Sequence, residues 1–182
     1  MSPVDTFIDH NRRFAASGMH AGLQWFPNLQ TIVIGCVDPR VDPAVILGLE
    51  LGDAVVIRNL GGRVTPDTLQ TIAALGMIAQ SEGVTPGPGL NLCVLHHTDC
   101  GITRLAEHPG FLARVLGVDP DDLGAKAVLD PKVAVAVDVA AIKANPSLPG
   151  GFLVAGLVYD VATGLVDVVV PPAPLRDTVT AA

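Results

Sequence analysis
The sequence predicts an α/β domain: four strands in a parallel sheet, helices on both faces, and a fifth strand paired antiparallel at one edge. Three observations carry this. Short apolar runs end abruptly near residues 36, 58, 97 and 159. Segments with apolar residues at helical spacing lie between them, and such alternation implies a parallel sheet covered on both sides. Last, Val161-Ala162-Thr163-Gly164 reads as a turn that brings Leu165–Val170 back antiparallel.

Residues 3–17 read as a helix with Phe7, Ile8 and Phe14 near one face. It is either a loosely packed terminal helix or an arm that docks on another subunit. A loop over 18–28 carries Trp25, expected in the core or at an interface. The first strand is 30–36. A short helix over 43–49 follows, with Pro43 well placed in its first turn. The second strand, 55–58, runs into Arg58-Asn59-Leu60-Gly61-Gly62, where paired glycines permit close backbone approach or positive φ. No G-x-G-x-x-G dinucleotide fingerprint is present. Thr65-Pro66 is an N-cap and first-turn pair, and Leu69, Ile72, Ala73, Leu75, Ile78 and Ala79 continue at helical spacing to about Ser81. After a Gly/Pro loop over 82–89 comes the third strand, 90–97. Residues 102–116 form one or two short helices broken at His108-Pro109-Gly110, and 117–131 a polar surface excursion. In 132–144, Val133, Val135, Val137 and Val139 alternate like a strand. Frequent alanine and the need for a crossover between parallel strands favour a helix. The fourth strand is 151–159. The whole chain, 1–182, is one domain, with 1–20 as a helical arm and 171–182 as a tail expected to fray.

Composition narrows the function. The 182 residues carry a net charge of −7. Basic side chains are few and scattered, which argues against nucleic acid and against an acidic membrane surface as partners. No run of 18 apolar residues predicts a membrane span, and the first residues lack the basic and apolar regions of a signal peptide. Nearly half the residues, 49%, are hydrophobic, which suggests a subunit interface or a well-filled core. Three cysteines, an odd number, argue against a disulfide scaffold and for a reducing, cytoplasmic setting.

The chemistry concentrates in two stretches. In Ile34-Gly35-Cys36-Val37-Asp38-Pro39-Arg40, a thiol, a carboxylate and a guanidinium occupy alternate positions at a strand end. Alternate residues share a face in extended chain, so the three can enter one space. In Leu95-His96-His97-Thr98-Asp99-Cys100-Gly101, His97 and Cys100 stand at H-x-x-C spacing. Either stretch alone suits ordinary packing, since free cysteine is usually buried. Together they form a two-thiolate, one-imidazole set that suits zinc with one position open. Both lie at carboxyl ends of strands, where open sheets of this kind bind ligands. His96 is expected to face away from His97. Asp99 reads as a supporting or capping group rather than a ligand, and Cys93 as core. His10, His20 and His108 have no assignable partner.

Cys36-x-Asp38-x-Arg40 followed by His97-x-x-Cys100-Gly101 resembles the β-class carbonic anhydrases. Arg58-Asn59-Leu60-Gly61-Gly62 is similar to their R-N-A-G segment, Asn11-Arg12-Arg13-Phe14 to their N-x-R-F, and Tyr159–Gly164 to their closing turn. The match runs in order from about Asn11 to Val170 and looks most like the small actinobacterial branch, which includes carbonyl sulfide hydrolase-like members. The resemblance implies strand order 2-1-3-4 plus the antiparallel edge strand, and a homodimer, often a dimer of dimers, with crossing N-terminal helices. It implies one zinc per chain on Cys36, His97 and Cys100, and a catalytic pair Asp38–Arg40. Asp38 is a possible fourth ligand in a closed form of the site. Three departures stand out: Pro39 for the common Ser or Ala, Leu60 for the common Ala, and a Gln24 too far from Cys36 to inherit a substrate contact.

The leading reading is therefore zinc-dependent reversible hydration of CO2 to bicarbonate, by a zinc-bound hydroxide that Asp38–Arg40 orients. The Gly101 N–H faces a substrate oxygen, or Gly101 merely permits the turn. An alternative applies the same site to carbonyl sulfide or carbon disulfide. A third reading is a zinc-stabilised protein without turnover, against which the Asp38–Arg40 pair argues. A thiol redox protein is the weakest, because no C-x-x-C is present.

Overall fold
The computed structural model describes residues 2–85, 89–149 and 151–176. Part of the expected 82–89 loop and the end of the tail lie outside the described residues. One five-stranded sheet organises the chain. Its strands are β1 (Thr31–Cys36), β2 (Ala54–Asn59), β3 (Asn91–His97), β4 (Leu153–Tyr159) and β5 (Val166–Pro174), in spatial order β2-β1-β3-β4-β5. The first four run parallel and β5 is antiparallel to β4, as the sequence predicts.

The helices are α1 (Pro3–Ser17), α2 (Pro43–Ile46), α3 (Pro66–Ser81), α4 (Pro109–Leu116) and α5 (Pro131–Ala144). Each has proline in its first turn, where the missing N–H costs nothing. Thr65 caps α3 and Asp130 caps α5 through their side-chain oxygens. Ile72, Leu69 and Leu75 of α3 join Val135, Val139 and Ile142 of α5 in one cluster with Ile32, Ile34, Leu92, Val94 and Val154 of the sheet. Pro43 of α2 packs at Gly35 on the opposite face, where a Cβ on Gly35 would come within 2.9 Å of its ring. Among the described residues no helix is long and apolar enough to cross a membrane.

The ambiguous 132–144 segment is the helix α5. Ala134, Val135, Asp138, Val139 and Ile142 are its buried residues, a spacing of three and four that only a helix places on one side. Helix α1 buries none of its residues within one chain. Trp25 is 53% exposed and is not core within one chain. It borders an apolar groove of about 100 Å³ with Phe26, Ile72, Leu75 and Phe152.

The expectation of a fraying tail from residue 171 is corrected up to Leu175. β5 continues to Pro174, with Leu153 opposite Pro174 and Val154 opposite Ala173. Leu175 is buried and its N–H donates to the Phe152 carbonyl oxygen at 2.8 Å. Prolines do not stop this strand because it lies at the sheet edge, where one side needs no donors.

Candidate metal centre
The strand order puts the site where chain topology reverses. β2 lies on one side of β1 and β3 on the other, so the carboxyl ends of β1 and β3 open a crevice between diverging connections. Cys36 ends β1 and His97 ends β3, with Gly35 opposite Leu95 in the preceding pair. Cys100 enters from the loop after β3. The ligating atoms of Cys36, His97 and Cys100 all lie within 4.8 Å of one another, and all three residues are buried. The two sulfurs are 3.8 Å apart.

The histidine is set for a cation. His97 Nδ1 donates to the Thr98 carbonyl oxygen at 2.8 Å, because a carbonyl can only accept. In the neutral ring, the form that can bind a metal, this leaves Nε2 with a bare lone pair. Nε2 is buried and has no hydrogen-bond partner among the described residues. A buried acceptor without a donor is costly, and a metal ion among the three donors would satisfy it. Thr98 is itself held: its N–H donates to the Tyr159 carbonyl at 2.9 Å, and its hydroxyl accepts from the Val161 N–H at 3.0 Å. A tethered imidazole of this kind is typical of metal sites. The thiols fit as well. Hydrogen bonding from Cys100 pulls the Cys36 thiol well below its ordinary range, while the same contact and burial push Cys100 up.

Beside the donors, Asp38 and Arg40 form a forked pair. Arg40 Nε donates to Asp38 Oδ1 at 3.1 Å and Nη2 to Oδ2 at 2.8 Å. The Arg40 backbone N–H also donates to Oδ1, at 2.9 Å. This guanidinium holds the Asp38 carboxyl far below the usual carboxylate range. Cys36, Asp38 and Arg40 do share one neighbourhood, but not by extended alternation: β1 ends at Cys36, and the chain then turns, the Val41 N–H donating to the Asp38 carbonyl oxygen at 3.1 Å. Gly101 follows, and a Cβ built on it meets nothing within 4 Å. Its backbone is not in the left-handed region, so the turn itself does not demand glycine there.

Three further elements support the site; the close approach of the paired glycines was expected, and the other two were missed from the sequence. Arg58 donates to the Cys36 carbonyl oxygen at 2.9 Å and to the Asp38 carbonyl oxygen at 2.8 Å, and pairs with Asp42 at 2.8 Å. It fastens the backbone that carries both a donor and the carboxylate. Gly62, at φ +65°, lies so close behind the site that a Cβ would come within 3.0 Å of backbone atoms of Gly35, Cys36 and Leu95. Only glycine allows that approach in that conformation. The third element is a buried trio. Arg63 Nε donates to Asp138 Oδ2 at 2.7 Å and Nη2 to Oδ1 at 3.1 Å. His96 Nε2 lies 3.2 Å from the same carboxylate, which also accepts from the Val64 N–H at 3.1 Å. His96 therefore turns away from its neighbour His97, as expected. The available signal was a lone aspartate, Asp138, in an otherwise apolar segment. Asp99 accepts from Arg40 and is not among the three clustered donors.

With this geometry in place, the comparisons with known proteins converge. The family model described as carbonic anhydrase matches residues 31–117, which includes both motif stretches. Beta-carbonic anhydrase 1 of Mycobacterium tuberculosis is 28% identical over 177 residues, covering 94% of this chain and all of that protein. The crystal structure of a carbonic anhydrase from Streptococcus mutans superposes with a TM-score of 0.70 at 34% identity, covering 93% of this chain and 98% of that one. A carbon disulfide hydrolase shares the fold, with a TM-score of 0.57 at 21% identity over 90% of this chain and 88% of that one. The end-to-end match to the Streptococcus mutans enzyme and the full-length match to the mycobacterial one agree with the strand order and the clustered cysteines and histidine: the chain belongs to the β-carbonic anhydrase family.

Proposed function
We propose that the chain binds one zinc ion through Cys36, His97 and Cys100 and catalyses reversible hydration of CO2 to bicarbonate and a proton. The observation that carries this is the buried, unpartnered His97 Nε2 beside two cysteine sulfurs, with an ionised carboxylate alongside. Zinc there supplies a Lewis acid that activates water, less strongly than a three-histidine site with its water pKa of about 7, because two thiolates offset the ion's charge. Asp38, kept ionised by Arg40, can only accept a hydrogen bond. It takes the O–H of the attacking oxygen and so turns that oxygen's lone pair toward CO2. The forked Arg40 contact fixes the direction in which Asp38 accepts. Gly101 offers a backbone N–H to a substrate oxygen, with open space where a side chain would stand. The three free cysteines suit a reducing compartment, and we assign the enzyme to the cytoplasm.

Stopped-flow CO2 hydration on the zinc-loaded protein tests this reading. The rate is expected to rise from neutral toward alkaline pH. Asp38 does not contribute that limb, because a carboxyl held below its ordinary value is already ionised throughout. Its orienting contribution is lost only as pH falls through that lowered value. A profile flat through the neutral range sinks the two-thiolate argument. Sulfide release from carbonyl sulfide, run on the same sample, separates the substrates: fast sulfide release with slow CO2 turnover moves the activity to the sulfur analogues.

The working unit is a homodimer or a dimer of dimers. Phe7 is 65% exposed on α1, and Val4, Ile8 and Phe14 are exposed with it. A contiguous apolar face of this kind marks an interface, and the groove beside Trp25 offers a second apolar surface. Sedimentation velocity at micromolar concentration is expected to show no monomer for the parent chain and a large monomer fraction for Phe7→Asp. A parent chain that sediments as a monomer overturns the assignment.

A further inference from the structure
The Asp38–Arg40 pair has a second anchor. Arg40 Nη1 donates to Asp99 Oδ2 at 2.8 Å, and Nη2 donates to the Asp99 carbonyl oxygen at 3.0 Å. With the two bonds to Asp38, four side-chain donations are made by one guanidinium, which has five N–H groups to give. Asp99 stands between His97 and Cys100, so this contact ties the loop after β3 to the segment after β1 across 59 residues of sequence. Its backbone adopts φ 51°, a conformation few residues but glycine, asparagine and aspartate accept. That turn aims both its carboxylate and its carbonyl oxygen at Arg40.

We infer that Asp99 is a positioning residue which acts through Arg40 to keep the Asp38 carboxylate off the metal. The inference rests on the zinc reading above. Arg40 is 47% exposed, and a long exposed side chain paired only with a neighbour two residues away holds a single geometry poorly. Asp38 is 13% exposed and sits on the inner side of the guanidinium, while Asp99, 59% exposed, closes the outer side. Held from both sides, the guanidinium presents its Nε and Nη2 edge to Asp38 and the carboxylate stays there. Released from Asp99, Arg40 gains rotamer freedom and Asp38 loses the fixed partner that competes with the ion for its oxygens. Arg104 does not substitute for Arg40 at Asp99: its nearest nitrogen is 4.0 Å from Oδ1, and it is 79% exposed.

The test is azide binding to the cobalt-substituted protein, read from the visible absorption bands. Azide needs the fourth position, which a coordinated Asp38 would occupy. Asp99→Gly, which keeps the backbone conformation accessible, is expected to weaken azide binding about threefold to fivefold with cobalt still at one per chain. Asp99→Asn retains an acceptor oxygen and tolerates the same φ, so it is expected to fall between. The decisive arm is the Arg40→Ala background, where Asp99→Gly is expected to add nothing, since a residue that acts only through another shows complete non-additivity. Equal losses in both backgrounds overturn the inference, as does unchanged azide affinity in Asp99→Gly. The readout needs no CO2 turnover, so failure of the hydration reading leaves it intact. A parent chain that takes up no cobalt sinks both.

Discussion
Asp138→Ala is expected to lower the melting temperature of the zinc-loaded protein by roughly 10 °C, a loss of about 3–5 kcal/mol. Arg63 is 2% exposed and Asp138 1%. Removing the carboxylate strands a buried guanidinium, along with the Val64 N–H and the His96 ring that also face it. Burial pushes the Asp138 carboxyl up, but His96 and Arg63 together overcome this and hold it below its ordinary value. Its contribution is therefore fully present above about pH 4, the unfolded-state value, and is lost as pH falls through the lower folded-state value. Replacing both charges, as Arg63→Met with Asp138→Leu, is expected to recover much of the loss, because a buried pair is expensive to break yet not intrinsically better than apolar packing. Thermal scans of the three proteins check this. A melting point for Asp138→Ala within a degree or two of the parent's removes the trio from any role in the fold.

Asp38→Ala is expected to reduce kcat/KM for CO2 hydration by about 10²–10³-fold while zinc stays at one per chain. The carboxylate lies beside the donors, is held ionised, can only accept, and is fixed by a forked partner. Without it the attacking oxygen loses its orientation, whereas the three donors are untouched. Zinc content by atomic absorption separates this from loss of the metal. A reduction of less than about tenfold with full zinc occupancy would discard the orienting role and leave the metal centre to act by itself.

How much of this was legible depends on how local each feature is. The parallel sheet with its antiparallel edge follows from short apolar runs alternating with helical spacing. The donors and Asp38–Arg40 stand within two short motifs, so spacing alone brings them into view. The segment 132–144 was harder, because its valines alternate like a strand. In a strand, Asp138 would face away from those valines. In α5 it turns inward with Ala134, Val135, Val139 and Ile142, and it is tolerated there only because Arg63 and His96 arrive from 75 and 42 residues away. The extent of β5 was hidden for a similar reason. Pro171, Pro172 and Pro174 look like terminators until the sheet order shows them on an edge strand.

By itself, then, the sequence determined the fold class, the donor types and their places at or just beyond strand ends, because these rest on periodicity and on residues a few positions apart. The tertiary structure alone decided which far-off groups stabilise them: Arg58 on the Cys36 and Asp38 carbonyls, Asp138 under Arg63, and Asp99 on Arg40. Each joins an ion or a carbonyl to a partner 20 or more residues away in sequence. Such contacts form only where strand order and helix direction bring segments together, and no local pattern encodes that meeting.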